Sequence, residues 1–294
     1  MKVGFIGIGA IGYPIFQHVV ENFDVVFFAR RQEVIDKATN DGGVFVPSVK
    51  DVAEQSDAII LFVNTFAQCK DCVNQILSAK NKNLAILVGA TVAPFEVESL
   101  RDECSAQGVA LIDGPVTGGV KGAIDATLTT MISGGKEDKE LFRPIISTYS
   151  KKIVDAGDTV GQAEALKALV QLLVGINSVA MSEAFTLGVK SGLDPEIIYD
   201  TITNSAGTSR IFENRGEKVM DRDFDKRGTI EIINKDMTIC SQLAFEKKSP
   251  MFLGAVAKQM FQIAASQSDP LEDFNAVVKV YEKMAGIKIE RTKK

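Results

Sequence analysis

Apolar positions in the first half of the chain follow two spacings. Short, nearly uninterrupted runs rich in Val, Ile, Leu and Phe occupy 2–8, 25–29, 58–63, 84–88 and 109–112. Between them, helix-like stretches cover 11–21, 32–40, 49–54, 67–77 and 95–107. The first pattern predicts buried strands and the second predicts helices, because side chains share a face every two residues in a strand and every three to four in a helix. Ser48, with Asp51 three residues later, marks a helix start with a hydroxyl cap. Continuous apolar strands alternating with helices imply a parallel sheet covered on both faces. Runs at 127–133 and 152–154 extend it.

From Gly161 onward the pattern changes. The segment 163–191 is apolar almost all round, through Leu166, Leu169, Val170, Leu172, Leu173, Ile176, Val179, Ala184, Phe185 and Leu187. A helix without a polar stripe is predicted to be central and buried. Gly192 ends it, and Asp194-Pro195 supplies the cap and first-turn proline of the next. Further helices are predicted over 211–220, 229–246, 252–266 and 271–285. The expected fold is α/β: a Rossmann-type doubly wound sheet over 1–160, then an all-α C-terminal domain over 161–294, joined by a long helix. No internal repeat or low-complexity segment interrupts this order.

Bulk properties narrow the class. A chain of 294 residues, 46% hydrophobic, buries a core without disulfides or metals and is neither disordered nor membrane-like in composition. No apolar run reaches the eighteen or so residues that span a bilayer, and the start leads straight into a glycine turn rather than a cleavage site. The net charge of -5 offers no basic footprint for nucleic acid. Cys69 and Cys72 form C-x-x-C, but a zinc site wants a second ligand pair, and the one histidine, His18, lies far off in sequence. The expectation is a cytoplasmic protein with free thiols, no metal, and neither nucleic acid nor membrane as partner.

Gly7-Ile8-Gly9-Ala10-Ile11-Gly12 is G-x-G-x-x-G, set after the first strand and opening a helix. Gly7 permits the tight turn, Gly9 lets backbone amides approach a pyrophosphate, and Gly12 allows close helix–strand packing. The helix N-terminus then favours the diphosphate. The second strand ends at Ala29-Arg30-Arg31, without the acid that usually binds the adenosine ribose hydroxyls. Guanidinium groups there pair with a 2′-phosphate, so Arg30 and Arg31 favour NADP over NAD.

A second glycine-rich segment, Asp113 to Ala123, offers the Thr117 hydroxyl and the Gly118 and Gly119 amides as a cradle for a carboxylate. Lys167 is one turn inside the apolar helix, where a lysine is seldom buried without purpose. Desolvation moves a lysine toward the range useful for proton transfer near neutrality. Gln171 follows one turn later on the same face, placed to bond a substrate or to hold the ammonium. In the last domain, Lys235-Asp236 is either a surface ion pair or a cation aimed at a cleft.

Together these segments resemble the β-hydroxyacid dehydrogenase family, which includes 3-hydroxyisobutyrate, tartronate-semialdehyde and 6-phosphogluconate dehydrogenases. The family's D-x-P-V-S-G-G appears as Asp113–Gly119 with Thr117 in place of serine. Its G-x-x-x-K-x-x-N-N falls on Ala163–Gln171, with Ala163 for the glycine and Val170-Gln171 for the asparagines. Its K-D-L falls on Lys235-Asp236-Met237. The L-threonate dehydrogenase branch is similar at Val63-Asn64 with Gln68, at Ile211–Arg215 and at Val277–Glu282, although it carries His at Val170 and Asp at Ala29.

The resemblance implies transfer of a hydride between a nicotinamide cofactor, NADP or NAD, and a small hydroxy acid like L-threonate or 3-hydroxyisobutyrate. Lys167 is then the acid–base; Thr117, Gly118 and Gly119 hold the carboxylate and Gln171 the hydroxyl. Lys235 neutralises charge where cofactor meets substrate, while Val63, Asn64 and Thr91 join the glycine loop around the cofactor. A homodimer or homotetramer is expected. Two other readings compete: an NADPH-dependent reductase of a short-chain semialdehyde, and a non-catalytic dinucleotide-binding oligomerisation module.

Overall fold

The computed structural model describes residues 1–291, in two compact units that divide after Lys167. In the first, β1 (Lys2–Ile6), β2 (Asp24–Phe28), β3 (Val44–Phe45), β4 (Ala58–Leu61), β5 (Ala85–Val88) and β6 (Ala110–Asp113) run parallel in the order β3-β2-β1-β4-β5-β6. Helices α1 (Gly12–Val20), α2 (Gln32–Asn40), α3 (Val49–Glu54), α4 (Phe66–Ser78) and α5 (Pro94–Ser105) follow the strands. The strand pattern shows why both faces need cover. Ile6, Val26, Ile59, Leu61, Ile86 and Val88 face one core, while Val3, Phe5, Phe27, Ile60 and Leu87 face the other. Strand order reverses beside β1, so the carboxyl ends of β1 and β4 bound the crevice where such sheets take ligands.

Beyond β6 the sheet departs from the parallel expectation. β7 (Val116–Thr117) pairs antiparallel with β8 (Leu128–Ser133), β8 is antiparallel to β6, and only β9 (Ser150–Gly157) restores a parallel pair. The cause is connection length. Parallel neighbours need a crossover of a dozen or more residues, and between β7 and β8 stands only α6 (Gly119–Ile124) with short turns. Helix α7 (Lys136–Ile146), which buries Phe142, Ile145 and Ile146, supplies the crossover from β8 to β9. Neither α6 nor α7 is predicted by the sequence pattern.

Helix α8 (Gln162–Lys190) begins in the first unit and continues into the second. The second unit adds α9 (Pro195–Thr203), α10 (Arg210–Met220), α11 (Ile230–Glu246), α12 (Phe252–Gln267), a 3-10 turn at Phe274–Val277 and α13 (Val278–Ala285). The single helix expected over 271–285 thus starts late, as a tight turn capped by the Asp273 side chain. Phe261, Met237, Ile230 and Val277 centre one core of this unit, and Phe185 stacked on Phe212 centres another.

Helix α8 is less buried than its composition suggested: Leu169, Leu173 and Leu187 are 54%, 58% and 71% exposed. By length and composition alone it could cross a membrane, the only such helix among the described residues and a property the sequence reading did not assign. Its buried polar groups belong to a core helix instead. Ser178 and Ser182 bond carbonyls one turn back, and Glu164, Lys167 and Gln171 are all buried in protein.

Candidate active site

The glycine loop joins β1 to α1. Gly7 has φ +101°, and a Cβ there would sit 2.1 Å from the Phe62 carbonyl oxygen. A Cβ on Gly12 would sit 2.0 Å from the Gly7 carbonyl oxygen. Both glycines are therefore demanded by the protein's own packing. Gly9 is different: it is exposed, and a Cβ would meet nothing within 4 Å. Open space at the middle glycine, with Ala10 also exposed and no side chain capping α1 among the described residues, fits a pyrophosphate resting on the helix N-terminus. Ile8 is buried in the core and Ile11 precedes the helix.

The other expected cofactor contacts lie at the same edge of the sheet. Arg30 and Arg31 are exposed just past β2, Arg31 in extended backbone before α2, and neither makes an ion pair among the described residues. Val63 and Asn64 follow β4. The Gln68 side chain takes the amides of Asn64 (3.0 Å) and Thr65 (3.3 Å) in a capping box that starts α4. Gln68, a branch feature in the sequence, thus shapes the turn carrying Asn64. Thr91 follows β5 and is half-buried.

The helix bearing Lys167 is anchored from a distance. The Ala163 amide donates to Ser133 Oγ (2.9 Å), and Ser133 Oγ donates to Asp113 Oδ1 (2.5 Å). Asp113 Oδ2 accepts from the Glu164 amide (2.9 Å). Two of the four first-turn amides are thereby satisfied by the ends of β8 and β6. Asp113 is fully buried; desolvation pushes its carboxyl up, against the Ser133 hydroxyl and the amides of Glu164 and Gly161, which favour its charged form. Glu164 is also fully buried, and its Oε2 accepts from the Val92 amide (3.4 Å), next to Thr91. One turn on, Lys167 is 7% exposed.

Ser133→Ala is expected to cost about 1–3 kcal/mol of stability, read by urea unfolding, because a buried amide and a carboxylate oxygen each lose a partner. The sign with pH is definite. Asp113 has a raised folded value, so its contribution is fully present below its unfolded value and is lost as pH rises through the folded one. Removing the Ser133 donor raises that folded value further. The variant's deficit should widen above it, and a deficit that shrinks with rising pH contradicts this anchoring.

Thr117 ends β7 and is half-buried; Gly118 and Gly119 are exposed with φ +132° and +66°. A Cβ on Gly119 would meet nothing within 4 Å. In the second unit, Gln171 (7% exposed) donates through Nε2 to Asp236 Oδ2 at 2.5 Å, and Lys235 Nζ lies 3.3 Å from Asp236 Oδ1.

Ser133 and Glu164 are polar groups that the sequence reading left without a role, while Asp236, read there as half of a surface ion pair with Lys235, is buried. A usable signal existed for Glu164 alone, an acid inside an otherwise apolar helical stretch. Five other side chains are structural. His18 Nε2 lies 3.1 and 3.0 Å from the Ala123 and Ile124 carbonyls at the end of α6. Cys69, Cys72, Cys104 and Cys240 are buried and form no disulfide among the described residues, and burial pushes the thiols of Cys72 and Cys104 up to about 11 and about 12.

The sheet order, the glycine loop and its open middle residue define a dinucleotide-binding Rossmann domain. Comparison with known proteins makes this specific. Residues 2–157 match the family model described as the NAD binding domain of 6-phosphogluconate dehydrogenase. Residues 161–281 match that described as the NAD-binding domain of NADP-dependent 3-hydroxyisobutyrate dehydrogenase. L-threonate dehydrogenase of Cupriavidus necator is 31% identical over 284 residues, 95% of this chain and 96% of that protein. 2-(Hydroxymethyl)glutarate dehydrogenase of Eubacterium barkeri is 31% identical over 294 residues, 98% and 97% of the two chains. The crystal structure of 3-hydroxyisobutyrate dehydrogenase from Salmonella typhimurium superposes with a TM-score of 0.84 at 25% identity, covering 95% of this chain and 99% of that one. The chain belongs to the β-hydroxyacid dehydrogenase family, in its L-threonate dehydrogenase branch. It is an NAD(P)-dependent oxidoreductase acting on the CH–OH group of small hydroxy acids.

Proposed function

We propose that the chain oxidises a short sugar acid of the L-threonate type, or a 3-hydroxyisobutyrate-like acid, with Lys167 as proton acceptor and NADP as the preferred cofactor. The observation that carries this reading is Lys167 itself: 7% exposed, and borne on a helix whose first turn is tied to the sheet through Asp113 and Ser133. A buried amine in a fixed place is suited to take the hydroxyl proton as the carbinol carbon is oxidised. The bound dinucleotide supplies the two-electron acceptor.

The remaining roles belong to this chain's own groups. Gly7, Ile8, Gly9, Ala10, Ile11 and Gly12 form the pyrophosphate turn, with Val63, Asn64 and Thr91 along the rest of the cofactor. Thr117 and the Gly118 and Gly119 amides hold the substrate carboxylate. Gln171 fixes the hydroxyl, and Lys235 offsets charge on substrate and cofactor. Residues 1–160 are the dinucleotide-binding domain and 161–294 the substrate and oligomerisation domain. Exposed Leu169, Leu173, Phe245, Phe252 and Leu253 support a homodimer or homotetramer, and a cytoplasmic location is part of the same proposal.

The test is a hydroxy-acid panel read by absorbance of reduced cofactor, with NAD and NADP in parallel. Joint Arg30→Ala and Arg31→Ala should lower kcat/KM for NADP by about tenfold to a hundredfold and leave NAD nearly unchanged, since each charge-assisted phosphate contact is a strong one. Equal loss with both cofactors removes these arginines from 2′-phosphate binding. The arginine pair also favours a second reading, NADPH-dependent reduction of a short semialdehyde by the same residues. Rates in both directions separate the two.

A further inference from the structure

Glu164 has no part in the functional reading, yet it is fully buried one turn before Lys167 on α8, and Lys167 is 7% exposed. A carboxylate so enclosed is costly unless paired and hydrogen-bonded. Its backbone amide is held by Asp113 Oδ2 at 2.9 Å, and its Oε2 accepts from the Val92 amide at 3.4 Å. The first contact fixes where the side chain starts, and the second fixes where it ends.

Residues three apart on a helix share a face, with Cβ atoms about 5–6 Å apart. The Glu164 and Lys167 side chains therefore leave α8 from neighbouring points, both enclosed by protein, where charges act on each other more strongly than in water. A negative charge at that range favours the ammonium over the neutral amine, against the desolvation that favours the amine. The Val92 N–H and the ammonium in turn favour the carboxylate over the acid.

Other ionisable groups surround this stretch of α8. Asp113 stands at the end of β6, pushed up by burial, and Glu98 of α5 lies against Gly161. Along the next turns, α11 brings Asp236, paired with Lys235, to Gln171 and Cys240 to the Ala168 carbonyl. All are common to wild type and to a variant at position 164, so the difference between the two reports Glu164.

We propose that Glu164 is a positioning residue for proton transfer: it sets a negative charge one turn before Lys167 and keeps the amine protonated to higher pH. An ammonium gives a proton to a carbonyl oxygen under reduction, whereas the neutral amine takes one from an alcohol under oxidation. In both directions the hydride is exchanged with the dinucleotide and only the proton with Lys167. The carboxylate thus biases the chain toward reduction near neutrality and toward oxidation at higher pH. The inference rests on the reading of Lys167 as the acid–base and adds the residue that sets its working pH.

The experiment follows kcat against pH at saturating substrate and dinucleotide. It uses the hydroxy acid that wild type oxidises best and, in reverse, the matching carbonyl acid. Glu164→Gln keeps an acceptor for the Val92 amide and removes the charge. Its inflexion should move down by about one to three pH units in both directions, the range for loss of a nearby opposite charge. Glu164→Asp keeps the charge and should stay closer to wild type than to the amide. The same shift should appear without substrate or dinucleotide, in an NMR titration of the Lys167 Cε resonance, identified by its loss in Lys167→Ala. Should Glu164→Gln melt too low to assay, Glu164→Met removes the charge with an apolar chain of similar length.

An inflexion and a Cε titration that both stay within about half a pH unit of wild type, with only the size of kcat changed, overturn the proposal and leave Glu164 a packing residue. A Lys167→Ala variant that keeps its turnover refutes the functional reading, and this inference falls with it. The two failures are therefore distinct.

Discussion

Lys167→Ala is expected to lower kcat for hydroxy-acid oxidation by about a hundredfold to ten-thousandfold, the usual contribution of a positioned acid–base. Dinucleotide affinity should stay within about threefold, because the pyrophosphate turn is built by β1 and α1 and makes no use of the amine. The fold should survive. The substitution deletes a long side chain from a site 7% exposed, but the anchoring of α8 runs through backbone amides of Ala163 and Glu164. The measurements are steady-state rates at saturating substrate and cofactor, fluorescence titration with reduced dinucleotide, and thermal melting. Turnover within tenfold of wild type would remove Lys167 from the proton transfer, whatever its burial.

The second large effect separates two kinds of glycine within one motif. Gly9→Val adds a side chain where a Cβ has no neighbour within 4 Å, so the protein alone should tolerate it. The added bulk occupies the space through which the pyrophosphate must approach, and dinucleotide affinity should fall by about a hundredfold or more. Gly12→Ala is the converse. Its methyl would lie 2.0 Å from the Gly7 carbonyl oxygen, so the loop must shift and the melting temperature should drop. Titration and melting on the same pair of variants test the assignment. A Gly9→Val protein that keeps its affinity would mean the diphosphate does not cross that turn.

Much of the fold was legible because its signals are local. The order of strands and helices through β6, the glycine turn after β1 and the hydroxyl cap at Ser48 can all be read within a few residues. The antiparallel turn at β7 and β8 was not, since strand direction depends on how far a connection can reach. Two-residue β3 and β7 carry too little pattern to register at all. The site divides in the same way. Lys167 stands out as a charge within an apolar stretch, and the structure buries it. Its anchors do not stand out, for Ser133 and Asp113 lie 30 and 51 positions before the amides they accept from. Only folding brings such partners together. For the same reason an all-round apolar α8 read as wholly enclosed, although Leu169 and Leu173 are largely exposed.

Asp113 lies four positions before Thr117 in one short stretch of chain, and that stretch also grips the start of α8. A shift in the proposed carboxylate cradle should therefore reach the first turn of the helix that carries Lys167. Engineering that reshapes the loop for a bulkier acid should begin after Thr117 and leave the aspartate alone. Changes placed earlier would blur selectivity and turnover together, as a lever moves both its ends.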